Sequence, residues 1–92
     1  MRILVTPTFE RTVKKLHKQH KALLDEAVRA IASQPEIGQT KVGDLAGVRV
    51  YKFRMGGLIC LLAYRVLDEN TLKLLMVGPH QNFYRNLKHL EH

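Results

Sequence analysis

Apolar and polar positions change rhythm near the middle of this chain. Ile3, Leu4 and Val5 form a short apolar run ended by Pro7, which predicts a strand over Arg2 to Thr6. Thr6 and Pro7 then make a helix start, with Thr as the cap and Pro at the first helical position. Phe9, Val13 and Leu16 follow at i, i+4 and i+7, while Glu10, Arg11, Lys14, Lys15 and Lys18 fall largely off that stripe. The spacing predicts a helix from about Thr8 to Lys18. Leu24, Val28 and Ile31, with Leu23 and Ala27 beside them, predict a second helix from about His20 to Ser33, stopped by Pro35. So little chain separates the two helices that they should form an antiparallel hairpin.

From Glu36 to Gly47 the rhythm lapses. Gly38, Gly43 and Gly47 mark a connecting loop with room for a short strand. Beyond it the pattern is that of strands. Val48 to Met55 alternates, with Tyr51, Phe53 and Met55 on one face and Lys52 and Arg54 on the other. Gly56-Gly57 is a hairpin turn signal. Leu58 to Leu67 is apolar on both faces for most of its length, as suits a central strand. Asp68-Glu69-Asn70 turns the chain into a third run, Thr71 to Val77, which Gly78-Pro79 ends; Phe83 to His89 fits a short C-terminal helix. The predicted fold is α+β, in the order β-α-α-β-β-β-α, with the helical hairpin on a small, mainly antiparallel sheet. No repeat or linker divides it, so residues 1–89 read as one domain. Leu90-Glu91-His92 reads as a cloning-site scar running into a histidine tag and is set aside.

Composition adds little to this, but charge adds a good deal. With 92 residues the core is small. Hydrophobic residues at 46% and charged residues at 25% point to a globular chain rather than a disordered one. Fifteen Lys and Arg against eight Asp and Glu leave a net charge of +7. Such a surface suits nucleic acid, an acidic protein or an anionic membrane, or is simply that of a soluble basic protein. Cys60 is the only cysteine, which excludes an intramolecular disulfide and a Cys-rich zinc site. Its apolar surroundings, Leu58 to Tyr64, mark it as a buried small hydrophobe. That run is too short to cross a bilayer, which takes about 20 residues. The N-terminus has no signal-peptide core, so a cytoplasmic protein is expected. His17 and His20 lack a third ligand, and no metal site is expected from them.

Candidate chemistry gathers in the second half. Lys52 and Arg54 share a strand face that is either open to a phosphate backbone or merely solvated. Arg54 is the better phosphate clamp, because its planar fork can hold two oxygens, and a poor general base, because it keeps its proton. His80 follows a strand end and a Gly-Pro turn, an exposed place where an imidazole can give or take a proton. Tyr84 follows one helical turn later; it can stack on a base, join the proton transfer, or pack on the sheet. Phe83 offers stacking or core packing, and Arg85 and Lys88 extend the basic rim. Lys14, Lys15 and Lys18 make the helical hairpin basic too, as a solvated face, an RNA contact or a dock for an acidic partner.

The element order and several strings resemble the RelE/ParE family of bacterial toxins. Lys41-Val-Gly-Asp-Leu-Ala-Gly47 followed by Val50-Tyr-Lys-Phe-Arg54 resembles the family's leucine, glycine and aromatic-basic strand. Leu61-Leu-Ala-Tyr-Arg-Val66 resembles its central strand, and Val77-Gly-Pro-His-Gln-Asn-Phe-Tyr-Arg85 its C-terminal signature of Gly, a basic or His residue, then Tyr. The resemblance spans nearly the whole chain. It implies a toxin paired with an antitoxin whose flexible segment folds on the toxin. One branch cleaves mRNA on the ribosome without metal or cofactor; another poisons DNA gyrase. In the nuclease branch the positions of Lys52 and Arg54 bind phosphate and serve acid-base chemistry. There the position of His80 assists the leaving group or the phosphate, and that of Tyr84 stacks or moves a proton.

One departure stands out. Where the nuclease branch often carries a phosphate-gripping Arg at the start of its central strand, this chain has Leu61. Arg54, Arg49 or Arg65 would have to take over the phosphate, though strand alternation sets Arg49 and Arg65 out of register with Lys52 and Arg54. The expectation is a ribosome-dependent mRNA endonuclease. The alternatives are a gyrase inhibitor of the same fold or a catalytically weak RNA-binding relative.

Overall fold

Arg2–Val5 (β1), Gln39–Thr40 (β2), Arg49–Met55 (β3), Leu58–Asp68 (β4) and Thr71–Pro79 (β5) lie in one sheet. The strand order is β1-β5-β4-β3-β2. β1 runs parallel to β5, and the other pairs are antiparallel. The helices are Pro7–Lys14 (α1), Lys18–Ser33 (α2) and Phe83–Leu90 (α3), with short 3₁₀ turns at Pro35–Ile37 and Gly43–Leu45. The computed structural model describes residues 1–91. Leu90 closes α3 and Glu91 caps it; His92, the end of the string read as a tag, lies outside the described residues.

Alternation along the strands splits the apolar residues into two cores. On one face Leu62, Tyr64, Leu72 and Leu74 meet Phe9 of α1 and Leu24, Ala27 and Ile31 of α2. On the other face Val50, Leu61, Ala63 and Met76 meet Phe83 and Leu87 of α3. The β4–β5 register slips between Ala63 and Tyr64. Leu75 and Met76 therefore both join the α3 core, while Leu74 and Val77 join the hairpin core. Because β4 feeds both cores, it is central, as its apolar run implies.

Local chemistry sets the boundaries. The Thr6 hydroxyl accepts the Phe9 N–H at 3.0 Å and donates to the Leu75 carbonyl at 2.7 Å, so one side chain caps α1 and ties it to β5. The helix ends at Lys14, short of Lys18, because the Lys15 and Leu16 N–H groups bond back to Thr12 and Val13 in a tightened last turn. Reversing the chain takes those residues out of the helix, and α2 begins at Lys18, ahead of His20. Gly56 and Gly57, at φ +57° and +89°, close the β3–β4 hairpin in a conformation that needs both to be left-handed. Tyr64 is fully buried; its hydroxyl donates to the Pro35 carbonyl at 2.6 Å and accepts the Gly38 N–H at 2.9 Å. It thereby pins the α2–β2 connection to the sheet. Any Cβ at Gly38 would stand 2.6 Å from that hydroxyl.

Candidate nucleic-acid interface

The register defines the face that carries the candidate site. Lys52 pairs across from Leu61, and Arg54 from Ile59. Both basic side chains are exposed, on the face that α3 covers farther along. Tyr51 and Phe53 point the other way, their rings nearly parallel at 6.3 Å, against the hairpin core.

His80 and Tyr84 reach the same face through a tight turn. β5 ends at Pro79, the Phe83 N–H donates to the His80 carbonyl at 3.1 Å, and Asn82 takes a left-handed φ of 61°. Asn tolerates that conformation better than most residues, and it swings α3 back over the sheet. The His80 and Tyr84 rings then stand edge to face, 5.9 Å between centroids. His80 is exposed and Tyr84 half-buried. Phe83, at 1% exposure, lies beneath α3 and packs rather than faces solvent. Arg85 and Lys88 are exposed along α3.

One further residue joins them from the Glu36 to Gly47 connection, where the glycines mark a loop with room for a short strand. Gln39 pairs with Val50 and Thr40 with Arg49, and the Lys41 N–H donates to the Val48 carbonyl at 3.1 Å. Strand pairing thus continues to Lys41, and alternation sets Gln39 and Lys41 on the face of Val50 and Lys52. The Lys41 ammonium lies 4.9 Å from the centroid of the Tyr84 ring and donates to the Gln39 side chain at 3.2 Å. The polar Gln39-Thr40-Lys41 run after Gly38 was the available signal.

Other sequence candidates lie elsewhere. Arg49 is on the hairpin face, donating to the Glu36 and Gly38 carbonyls at 3.1 and 3.0 Å, beside the Tyr64 clamp. Arg65 is not out of register with Lys52, because counting along β4 from Leu61 puts it on the same face. It stands at the far end of the strand, where it pairs with Glu91 and the Ala46 carbonyl. Lys14, Lys15 and Lys18 cluster, exposed, at the α1–α2 reversal on the hairpin side. Leu61 is 1% exposed and roofed by Phe83 and Leu87. The position expected to differ from a phosphate-gripping Arg has become the seat of α3.

Cys60 is buried, and burial pushes its thiol up from the ordinary range, away from the reactive thiolate. Burial also raises the Tyr64 hydroxyl, against smaller opposing effects of the Gly38 hydrogen bond and Arg49. The His17 and His20 rings meet edge to face at 5.7 Å. Among the described residues no three His, Cys, Asp or Glu side chains gather to hold an ion, and no helix is long and apolar enough to cross a membrane. A largely apolar cleft of about 800 Å³ runs past the end of β5 between α1 and α3, lined by Thr12, Leu16, Val77, Pro79, Phe83 and Asn86.

Comparison with known proteins agrees with this architecture. Residues 3–88 match the family model described as the ParE-like toxin of type II bacterial toxin-antitoxin systems. Among solved structures, a mutant of the Escherichia coli toxin RelE in the free state superposes with a TM-score of 0.72 at 17% identity, covering 95% of this chain and 90% of that one. The E. coli RelBE toxin-antitoxin complex gives 0.69 at 20% identity, covering 87% and 96%. The Mycobacterium tuberculosis RelBE2 toxin-antitoxin complex gives 0.66 at 28% identity, covering 86% and 96%. None of the curated proteins matches the chain.

Proposed function

The chain belongs to the ParE-like toxins of type II bacterial toxin-antitoxin systems, and from that premise we propose that it is a ribosome-dependent mRNA endonuclease. The observation that carries this reading is the meeting of two proton-capable side chains, His80 and Tyr84, on the same sheet face as two exposed cations, Lys52 and Arg54. In metal-independent RNA cleavage the 2′-hydroxyl attacks the adjacent phosphorus while the 5′-oxygen leaves. The step needs a base, an acid and positive charge on the phosphate. Arg54 and Lys52 hold and neutralise the phosphate, His80 gives or takes the proton, and Tyr84 stacks on a base or assists. The products are a 2′,3′-cyclic phosphate and a 5′-hydroxyl.

Primer extension on an mRNA in a reconstituted translation system, with and without ribosomes, tests this with wild type and His80→Ala. Ribosome-dependent cuts that fade in the variant are expected; the absence of cuts in wild type would overturn the nuclease reading. One observation favours the rival, a gyrase inhibitor: a buried Leu61 stands where the nuclease branch often carries a phosphate-gripping Arg. Supercoiling inhibition without RNA cleavage would select it.

A cognate antitoxin is the expected partner, as in the RelBE complexes that share the fold. An antitoxin segment that folds on binding would cover the helical hairpin or the basic face and lower RNA affinity by neutralising its cations. The cleft between α1 and α3 is lined in part by residues of the helical hairpin. Gel filtration with the neighbouring gene product should show a larger complex; an unchanged elution volume would count against it.

A further inference from the structure

Lys41 holds a position that no part of the proposed chemistry has used. The Tyr84 ring meets Phe83 and His80 through perpendicular, edge-type contacts at 5.6 and 5.9 Å. One face of the ring is taken by the Lys41 ammonium, 4.9 Å from the centroid. A base can stack on that face only if the ammonium leaves it. Little prevents this: the contact is half-exposed, and the second tether of Lys41 is an exposed hydrogen bond of 3.2 Å to Gln39. A cation over an aromatic ring at such a site is held weakly, whereas base stacking on an aromatic ring is the stronger interaction. The displaced ammonium is then on a flexible stem, one base away from the sugar-phosphate chain, on the face that already carries Lys52 and Arg54.

We propose that Lys41 is an RNA-contacting residue that covers the Tyr84 face in the free protein and moves to the phosphate beside the base that stacks there. The inference rests on the RNA reading of this face and adds to it a partner for Lys41, a single-stranded phosphodiester. It also makes Tyr84 a stacking platform rather than a side chain that merely packs.

A phosphate contact has a signature that a packing role lacks. Each phosphate neutralised on a single strand adds about 0.7 to the slope of log affinity against log salt. Purified full-length protein is titrated into a fluorescent, 2′-O-methylated, uncleavable RNA decamer over a series of potassium chloride concentrations. Lys41→Met should flatten the slope by about 0.7 relative to wild type, and Lys41→Arg should restore it. Arg29→Met, which removes an equal charge from an exposed site on α2, should leave the slope nearly unchanged. If Lys41→Met weakens binding equally at every salt concentration, Lys41 only positions Tyr84 and the proposal is wrong. If its affinity and slope equal those of wild type, Lys41 does not touch RNA, and the proposal falls while the nuclease reading stands. If wild type binds no decamer at any salt concentration, the free face does not hold RNA and the Lys41 proposal falls, while ribosome-dependent cleavage is decided separately by primer extension.

Discussion

On one side of β3, Tyr51 and Phe53 pack against the core beneath the helical hairpin; on the other, Lys52 and Arg54 stand in solvent. The same seven-residue strand serves a closed face and an open one. The difference follows from what covers each side. The hairpin face has two helices, and its apolar seat extends from β5 to β3. The other face has only the eight residues of α3, which roof Leu61, Ala63 and Val50 but leave the hairpin end of β3 bare. Charge is tolerated there because no helix removes its water. The covered faces should therefore govern stability and the bare patch activity, with little exchange between them.

The largest effect should come from the bare patch. On the proposed nuclease reading, His80→Ala should lower the rate of mRNA cleavage by about 10² to 10⁴-fold, the usual span for losing a positioned acid or base. Its melting temperature should stay within a degree or two of wild type, because the side chain is exposed. A fall in stability parallel to activity would break the separation. Next is the seat of α3. Leu61→Ala should cost about 2–5 kcal/mol in urea unfolding, as for a leucine removed from a packed core. A loss under about 1 kcal/mol would mean that α3 is not seated as described.

The hairpin face provides a smaller change with a pH signature. Tyr64→Phe leaves the Gly38 N–H and the Pro35 carbonyl without their partner, at a cost of about 1–3 kcal/mol. Because burial raises the folded-state pKa of this hydroxyl, the unfolded chain loses its proton first as pH climbs. The stabilisation from neutral Tyr64 is thus complete below the ordinary value of 10.0 and is lost as pH rises from there through the folded value. Urea denaturation from pH 8 to 11 should show wild type weakening more steeply than Tyr64→Phe; equal slopes would refute the assignment. The smallest effect is kinetic. Cys60 in the native protein should react with a thiol reagent at neutral pH far more slowly than after unfolding, and equal rates would place it outside the core.

Much of this was legible from spacing. The stripe of Leu24, Val28 and Ile31, the alternation from Tyr51 to Met55 and the Gly56-Gly57 turn are local signals, and each element formed where its signal lay. The missed features depend on distant chain. Lys41 is an isolated loop lysine until β2 pairs with β3 and α3 brings Tyr84 over it. Arg49 looked available for phosphate, but two carbonyls from the α2–β2 connection claim its guanidinium. The end of α1 at Lys14 is not legible, because an apolar stripe through Leu16 says nothing about where the backbone must turn.

The burial of Leu61 also ties it to two other positions. A residue that roofs and a residue that is roofed cannot change independently. Arginine at position 61 would first meet Phe83 and Leu87, so its arrival is harmful until both have changed or α3 has moved aside. Changing those two first would leave Leu61 uncovered. The three positions share one core, so a single Leu61→Arg substitution would bury a cation among apolar side chains.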